Sequence, residues 1–264
     1  MPPIGTLGDL TRAAHERAAH VAAQLNEIRA AALDVAPSLP FAIRLRQPTI
    51  CIIAEVKRAS PSKGDIAPGL DAAAQAAAYE LGGAAAISVL TEPSRFGGSL
   101  QDLRAVAQRV AVPVIRKDFL VHPVQLWEAR AAGASAALLI VRALSPDLLA
   151  TLMHAVQEAG LEALVEVRDE SELERALDVN ARVIGVNNRN LETLIIDVAT
   201  APALVPRIPA DRIAIAESGM RQLDDLRPAA DAGADAVLIG SAVSAHADPQ
   251  AAVRALASVP RRDR

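Results

Sequence analysis

Apolar positions divide the chain at about residue 49. Before it, Leu7, Leu10, Val21, Leu25, Ile28 and Leu33 recur at helical spacing with alanines filling the gaps, which predicts an amphipathic helix over Leu7–Leu33. Asp34, Pro37 and Pro40 stop it. The pattern is too short to favour a coiled coil. Residues 1–48 therefore read as a helical extension covering one end of whatever follows. Beyond them, short apolar runs predict strands at Ile50–Val56, Ala85–Leu90, Val112–Arg116, Ala136–Val141, Glu162–Val167, Arg182–Val186, Arg212–Ala216 and Ala236–Ile239. Helical stretches fall between and after them at Leu70–Leu81, Leu100–Arg109, Pro123–Ala132, Pro146–Ala159, Ser171–Leu177, Val198–Leu204, Gln222–Ala232 and Pro249–Ala257.

Several helices enter the next strand through one device, seen at Gly82-Gly83, Ala132-Gly133-Ala134 and Ala232-Gly233-Ala234. Glycine there suits the left-handed residue that ends a helix. The segments 131–139 and 231–239 nearly repeat one another, so the repeating unit is one helix and one strand. Eight such units, with strands apolar along their whole length, predict one α/β domain over residues 49–264, a closed (β/α)8 TIM barrel. The rival is a doubly wound open sheet. That fold more often carries a Gly-rich dinucleotide fingerprint after its first strand, and this chain has none.

Composition narrows the class. Of 264 residues, 52% are hydrophobic and 22% charged, which excludes a disordered chain. A net charge of −4 without a large basic cluster argues against nucleic acid. With a single cysteine, Cys51, no intrachain disulfide forms, as expected in a reducing compartment. Neither a signal peptide nor an apolar run of membrane-spanning length is present, so a cytoplasmic protein with no membrane partner is expected.

Barrel chemistry sits at the C-terminal ends of the strands. Those positions hold Glu55 and Lys57, Lys117, Glu166, Asn187 and Arg189, and Glu217. Glu55 and Lys57 share one face of their strand because side chains alternate. Three carboxylates and three cations at one mouth point to an active site rather than to scattered strand-end ion pairs. Ser218-Gly219 and Gly240-Ser241 follow the last two strands, the usual place for a phosphate in this fold. Glycine lets backbone amides approach the oxygens, so a valine at Gly240 is expected to weaken phosphate and substrate together. The five histidines share no ligand spacing, and no metal set is expected. Acid–base work falls to lysines and glutamates, whose pKa values burial and neighbours can shift.

The segment Ile53-Ala54-Glu55-Val56-Lys57-Arg58-Ala59-Ser60-Pro61-Ser62-Lys63-Gly64 resembles the signature of indole-3-glycerol phosphate synthases. Further segments resemble that family in the same order: Ser88–Glu92 with Phe96–Ser99, Pro113–Phe119, Ile184–Leu191 and Ala216–Met220. The resemblance runs from about Phe41 to the end of the eighth strand; the leading helix is richer in Ala and poorer in Lys and Glu than is usual there. It implies a lyase of tryptophan biosynthesis. Such an enzyme closes the pyrrole ring of 1-(2-carboxyphenylamino)-1-deoxyribulose 5-phosphate, losing carbon dioxide and water.

On that resemblance Lys117 is the general acid on the ribulose carbonyl. Lys57 and Glu166 serve the later dehydration, with Glu55 orienting Lys57 and Glu217 in the catalytic set. Spacing alone does not settle which lysine serves which step. Asn187 and Arg189 position the substrate, and Arg189 suits a planar carboxylate. Phe96, Phe119, Leu138 and Leu191 would hold the anthranilate ring, Ser60 would bind substrate with them, and Ser218, Gly219, Gly240 and Ser241 would take the phosphate. The resemblance implies no cofactor, a phosphorylated small-molecule substrate, and a monomer or weak homodimer. Two other classes stay open: another phosphate-binding barrel enzyme such as a phosphosugar isomerase, and a catalytically silent barrel serving as a partner subunit. Lastly, the polar stretch Arg58–Gly64 reads as a lid and Arg261–Arg264 as a frayed tail.

Overall fold

Runs of Val, Ile, Leu and Ala leave a strand no face for water, and the strands they form here are buried almost throughout. They are β1 (Cys51–Val56), β2 (Ala86–Leu90), β3 (Val114–Lys117), β4 (Ala136–Ile140), β5 (Glu162–Val167), β6 (Val183–Asn187), β7 (Ile213–Glu217) and β8 (Ala236–Ile239). In this computed structural model, which describes residues 2–264, all eight are parallel and form a closed barrel, β1 pairing with both β2 and β8. Closure rules out the open doubly wound sheet.

Two long helices precede β1, α1 (Gly5–Val21) and α2 (Leu25–Leu33), with a single helical turn at Phe41–Arg44 after them. A main helix then follows each strand: α3 (Ala72–Leu81), α4 (Leu100–Arg109), α5 (Pro123–Ala131), α6 (Pro146–Glu158), α7 (Glu170–Asp178), α8 (Thr200–Leu204), α9 (Leu223–Asp231) and α10 (Pro249–Leu256), with short helical turns at Pro93–Phe96 and Ser241–Ser244 ahead of α4 and α10. Local chemistry sets their ends. Asp71, Ser99, Ser145, Asp169 and Asp248 accept hydrogen bonds from the first-turn amides of their helices, and His122 does the same through Nδ1. Gly83, Gly133 and Gly233 take the left-handed conformation expected of them, with φ of 97°, 87° and 91°.

The leading helix differs from its expected form. A 3-10 turn at Ala22–Gln24 divides it. The apolar phase runs on without a stagger through the turn, so periodicity gives no sign of it. Packing decides: α1 lies over the C-terminal mouth, whereas α2 must turn to lie along α5, where the Arg29 guanidinium sits 4.6 Å above the Trp127 ring. The chain then reaches the opposite end of the barrel. There Phe41 and Leu45 are fully buried, and the Glu162 carboxylate accepts hydrogen bonds from the amides of Phe41 and Ala42. Met1, the first residue of the expected extension, lies outside the described residues.

The tail is not frayed. Arg261 and Arg264 close on the buried Asp235 at 3.2 and 2.9 Å, and the Ile50 amide donates to the Val259 carbonyl. Buried Asp235 would be an uncompensated charge without these two cations, which is why the tail docks. Among the described residues no helix is long and apolar enough to cross a membrane.

Candidate active site

Period-two alternation sends every second residue of each strand into the barrel, and the last inward residues form the floor of a cavity of about 180 Å³. All the residues singled out from the sequence line it: Glu55, Lys57, Ser60, Phe96, Lys117, Phe119, Leu138, Glu166, Asn187, Arg189, Leu191, Glu217, Ser218, Gly219, Gly240 and Ser241. Leu138 is core as well as wall, being only 2% exposed. Among the described residues no cluster of His, Cys, Asp and Glu could hold a metal ion.

The floor is a set of paired charges. Lys57 Nζ lies 2.5 Å from Glu55 Oε1. Lys117 Nζ lies 3.2 Å from Glu217 Oε2 and 3.5 Å from Glu166 Oε2. Asn187 donates to Glu166 Oε1 at 3.0 Å and accepts from the Arg189 amide at 2.9 Å, so one side chain links Glu166 to the backbone of Arg189. Burial opposes the charge on Lys117, yet Glu217, Glu166 and Glu55 together outweigh it and hold its pKa above the ordinary lysine value. Burial likewise opposes the Glu55 charge, but Lys57 and then Lys117 keep that carboxyl below its usual range. Glu217 goes the other way. Burial dominates, Lys117 only partly offsets it, and the pKa is pushed up to about 8. The Lys117 ammonium, 3.2 Å from Oε2, is the cation that faces this carboxyl.

The apolar wall includes Phe96 and Phe119, with ring centroids 6.3 Å apart and planes tilted by 40°. Ser60 is 8% exposed, and its hydroxyl has no partner among the described residues. Across the cavity, Ser218 and Gly219 both have positive φ, 67° and 88°, a conformation uncommon for serine. Gly240 is small for a reason the sequence does not disclose. A Cβ there would overlap Glu55 Oε1 and stand 2.6 Å from Lys57 Nζ, so the glycine makes room for the floor pair as well as for a ligand.

A family model for indole-3-glycerol phosphate synthase matches residues 10–256. The chain belongs to the indole-3-glycerol phosphate synthase family. It is 53% identical over 226 residues to the indole-3-glycerol phosphate synthase of Rhodococcus jostii, covering 86% of this chain and 84% of that one. It is 51% identical over 238 residues to indole-3-glycerol phosphate synthase 1 of Streptomyces coelicolor, covering 90% and 88%. A thiamine phosphate pyrophosphorylase from Pyrococcus furiosus matches with a TM-score of 0.59 at 16% identity, covering 80% of this chain and 95% of that one; this likeness concerns the barrel alone.

Around the indole-3-glycerol phosphate synthase motif residues stand supports that sequence reasoning missed. Asp118, beside Lys117, accepts from Thr91 and from its own neighbour's amide at Phe119, and Arg17 of α1 reaches it at 2.8 Å. Glu92 takes the amides of Ser94, Arg95 and Phe96 and so fixes the turn that carries Phe96. Asn188 joins β6 to the Ser218 carbonyl at 2.9 Å. All three lie inside motif segments, which is the only signal the sequence held. Arg58, expected to open a mobile lid, is instead fixed. Its guanidinium is bidentate to Asp102 at 2.6 and 2.8 Å and donates to the Leu70 carbonyl. Beyond it, Ala59–Ser60 and Gly64–Asp65 form a small antiparallel ribbon whose turn holds Pro61, Ser62 and Lys63 over the cavity.

Proposed function

We infer that the chain is an indole-3-glycerol phosphate synthase, a carbon–carbon lyase acting on 1-(2-carboxyphenylamino)-1-deoxyribulose 5-phosphate. The observation that carries the reading is the buried ammonium of Lys117, held charged between Glu217 and Glu166 on the floor of a cavity that has Phe96, Phe119, Leu138 and Leu191 in its wall. A fixed cation where negative charge develops on a carbonyl oxygen is the largest single aid a site of this kind can give.

The substrate lies with its anthranilate ring against Phe96, Phe119, Leu138 and Leu191, and its carboxylate toward Arg189. Ser60 offers its unused hydroxyl, and the phosphate sits at Ser218, Gly219, Gly240 and Ser241. The ring carbon bearing the carboxylate attacks the ribulose carbonyl carbon. The carbonyl electron pair moves to oxygen, which takes a proton from Lys117. Breaking the bond to the carboxylate returns its electron pair to the ring and releases carbon dioxide. Lys57, oriented by Glu55, then protonates the departing hydroxyl, which leaves as water, while Glu166 accepts the proton that the new ring loses. Asn187 keeps Glu166 aimed. Glu217, 3.2 Å from the Lys117 ammonium, keeps that acid in place on the floor, and Lys117 regains its proton from water after each turnover.

An assay of indole fluorescence from the carboxyphenylamino substrate tests this. The wild type turns over, and Lys117→Ala lowers kcat by roughly 10²–10⁴-fold while thermal melting shows an intact fold. Turnover within tenfold of wild type in that variant removes Lys117 from the role. Cytoplasmic residence as a monomer or weak homodimer belongs to the same reading, supported by a single, buried Cys51 without a disulfide; sedimentation across a concentration series checks the oligomer.

A further inference from the structure

The cations around the cavity are not equivalent. Lys57 and Lys117 are taken by floor carboxylates, and Asp118 is taken by Arg17 and Arg116. Three lining cations have no carboxylate partner among the described residues: Lys63, Arg189 and Arg221. Arg189 at least donates to the Leu194 carbonyl. Lys63 and Arg221 bond only through their backbone amides, to the Ser60 carbonyl and to Asp225. The carboxylates nearest Arg221 in sequence are engaged elsewhere. Asp225 accepts from the amides of residues 221 and 222, and Asp224 pairs with Arg227 at 3.1 Å.

These two free cations stand on different loops. Lys63 is on the ribbon turn after β1, and Arg221 lies two residues after Gly219 on the loop after β7. Resting on the reading above, we propose that Lys63 and Arg221, lining one cavity from two different loops, form a two-cation gate that takes the phosphate dianion of the substrate. Like charges held near one another without a counter-ion are costly, and a dianion between them removes that cost. The ammonium of Lys63 is disfavoured first by partial burial and then by Arg221, ahead of Lys57 and Arg189, which places Arg221 foremost among the cations it senses. The gate adds uncompensated side-chain charge to a loop region, Ser218–Gly219 and Gly240–Ser241, where the one ammonium at hand, Lys57 beside Gly240, is already paired with Glu55. It also makes the site select a dianion over a neutral or singly charged sugar end, and it draws phosphorylated substrate in from solution.

The test uses the full chain with inorganic phosphate as the probe and titration calorimetry as the readout, so it does not depend on turnover. Lys63→Gln and Arg221→Gln should each weaken phosphate about three- to tenfold, and the double variant more than either. Both side chains are exposed, so thermal melting should stay at the wild-type value. Salt dependence of binding should become shallower with each lost charge, and Arg221→Lys should restore most of the affinity. In turnover assays KM for the substrate should rise more than kcat falls. Wild-type phosphate affinity and salt dependence in the double variant would overturn the gate, as would a loss that Arg221→Lys does not restore. If the wild type binds phosphate as expected yet never turns over the carboxyphenylamino substrate, the functional reading fails and the gate stands.

Discussion

Glu217 occupies the space that a side chain at residue 185 would need. A Cβ on Gly185 of β6 would overlap Glu217 Oε1 on neighbouring β7 and press on Leu164 at 3.1 Å. The glycine is therefore what lets the Glu217 carboxyl turn inward to Lys117. Gly185→Ala should leave the barrel folded but push Glu217 off Lys117, and kcat should fall by roughly 10²-fold, the usual cost of an ångström-scale displacement in a site. Steady-state kinetics beside thermal melting check this; wild-type kcat would mean that Glu217 has room to retreat.

At Gly240 a small side chain meets Lys57 and Glu55 before it meets a ligand. Gly240→Ala should lower kcat by about tenfold or more by displacing Lys57, in addition to weakening phosphate. Measuring kcat and phosphate inhibition on the same variant separates the two effects. An unchanged kcat with weakened phosphate would confine the glycine to ligand approach.

Glu172 gives a pH-dependent prediction. Burial first, then the nearby Asp169, pushes its carboxyl up to about 7, while the Arg168 amide pulls it down; Glu166 and Arg142 are weaker neighbours of opposite sign. A carboxyl raised in the folded state binds more protons folded than unfolded, so its contribution is full below the unfolded value of about 4.5 and is lost as pH rises through about 7. Glu172→Gln keeps the acceptor for the Arg168 amide and lacks the titration. Between pH 4.5 and 8 the wild type should lose up to ~3 kcal/mol relative to this variant in urea titrations. A constant difference across that range would show that Glu172 is not buried enough to titrate late.

Limited trypsin should distinguish the two basic residues of the loop after β1. Arg58 is tied to Asp102 and Leu70, whereas Lys63 is exposed at the ribbon turn. The first cut in the loop should therefore follow Lys63, and a bound product analogue should slow it. Asp102→Ala should free Arg58 and open a second cut there. Mass spectrometry of early fragments reads both, and an early cut after Arg58 in the wild type would show that the clamp does not hold.

How far the sequence reaches is clear from particular residues. The strands, the glycine-ended helices and the placement of Glu55, Lys117, Glu166 and Glu217 at one mouth all follow from local rules. Alternation has a period of two, left-handed caps favour glycine, and a parallel barrel presents its strand ends on one side. Which charges meet does not follow. Lys117 is shared between Glu166 and Glu217, and Arg17 reaches across from α1 to Asp118, because barrel closure brings distant segments within an ion-pair distance. The same holds for the break at Ala22–Gln24 and the docked Arg261–Arg264 tail, where local spacing is silent. Periodicity records which face of an element is buried. Only the packed barrel decides what that face is buried against, and hence which carboxyl keeps its proton, which glycine must stay small and which cations are left free for a ligand.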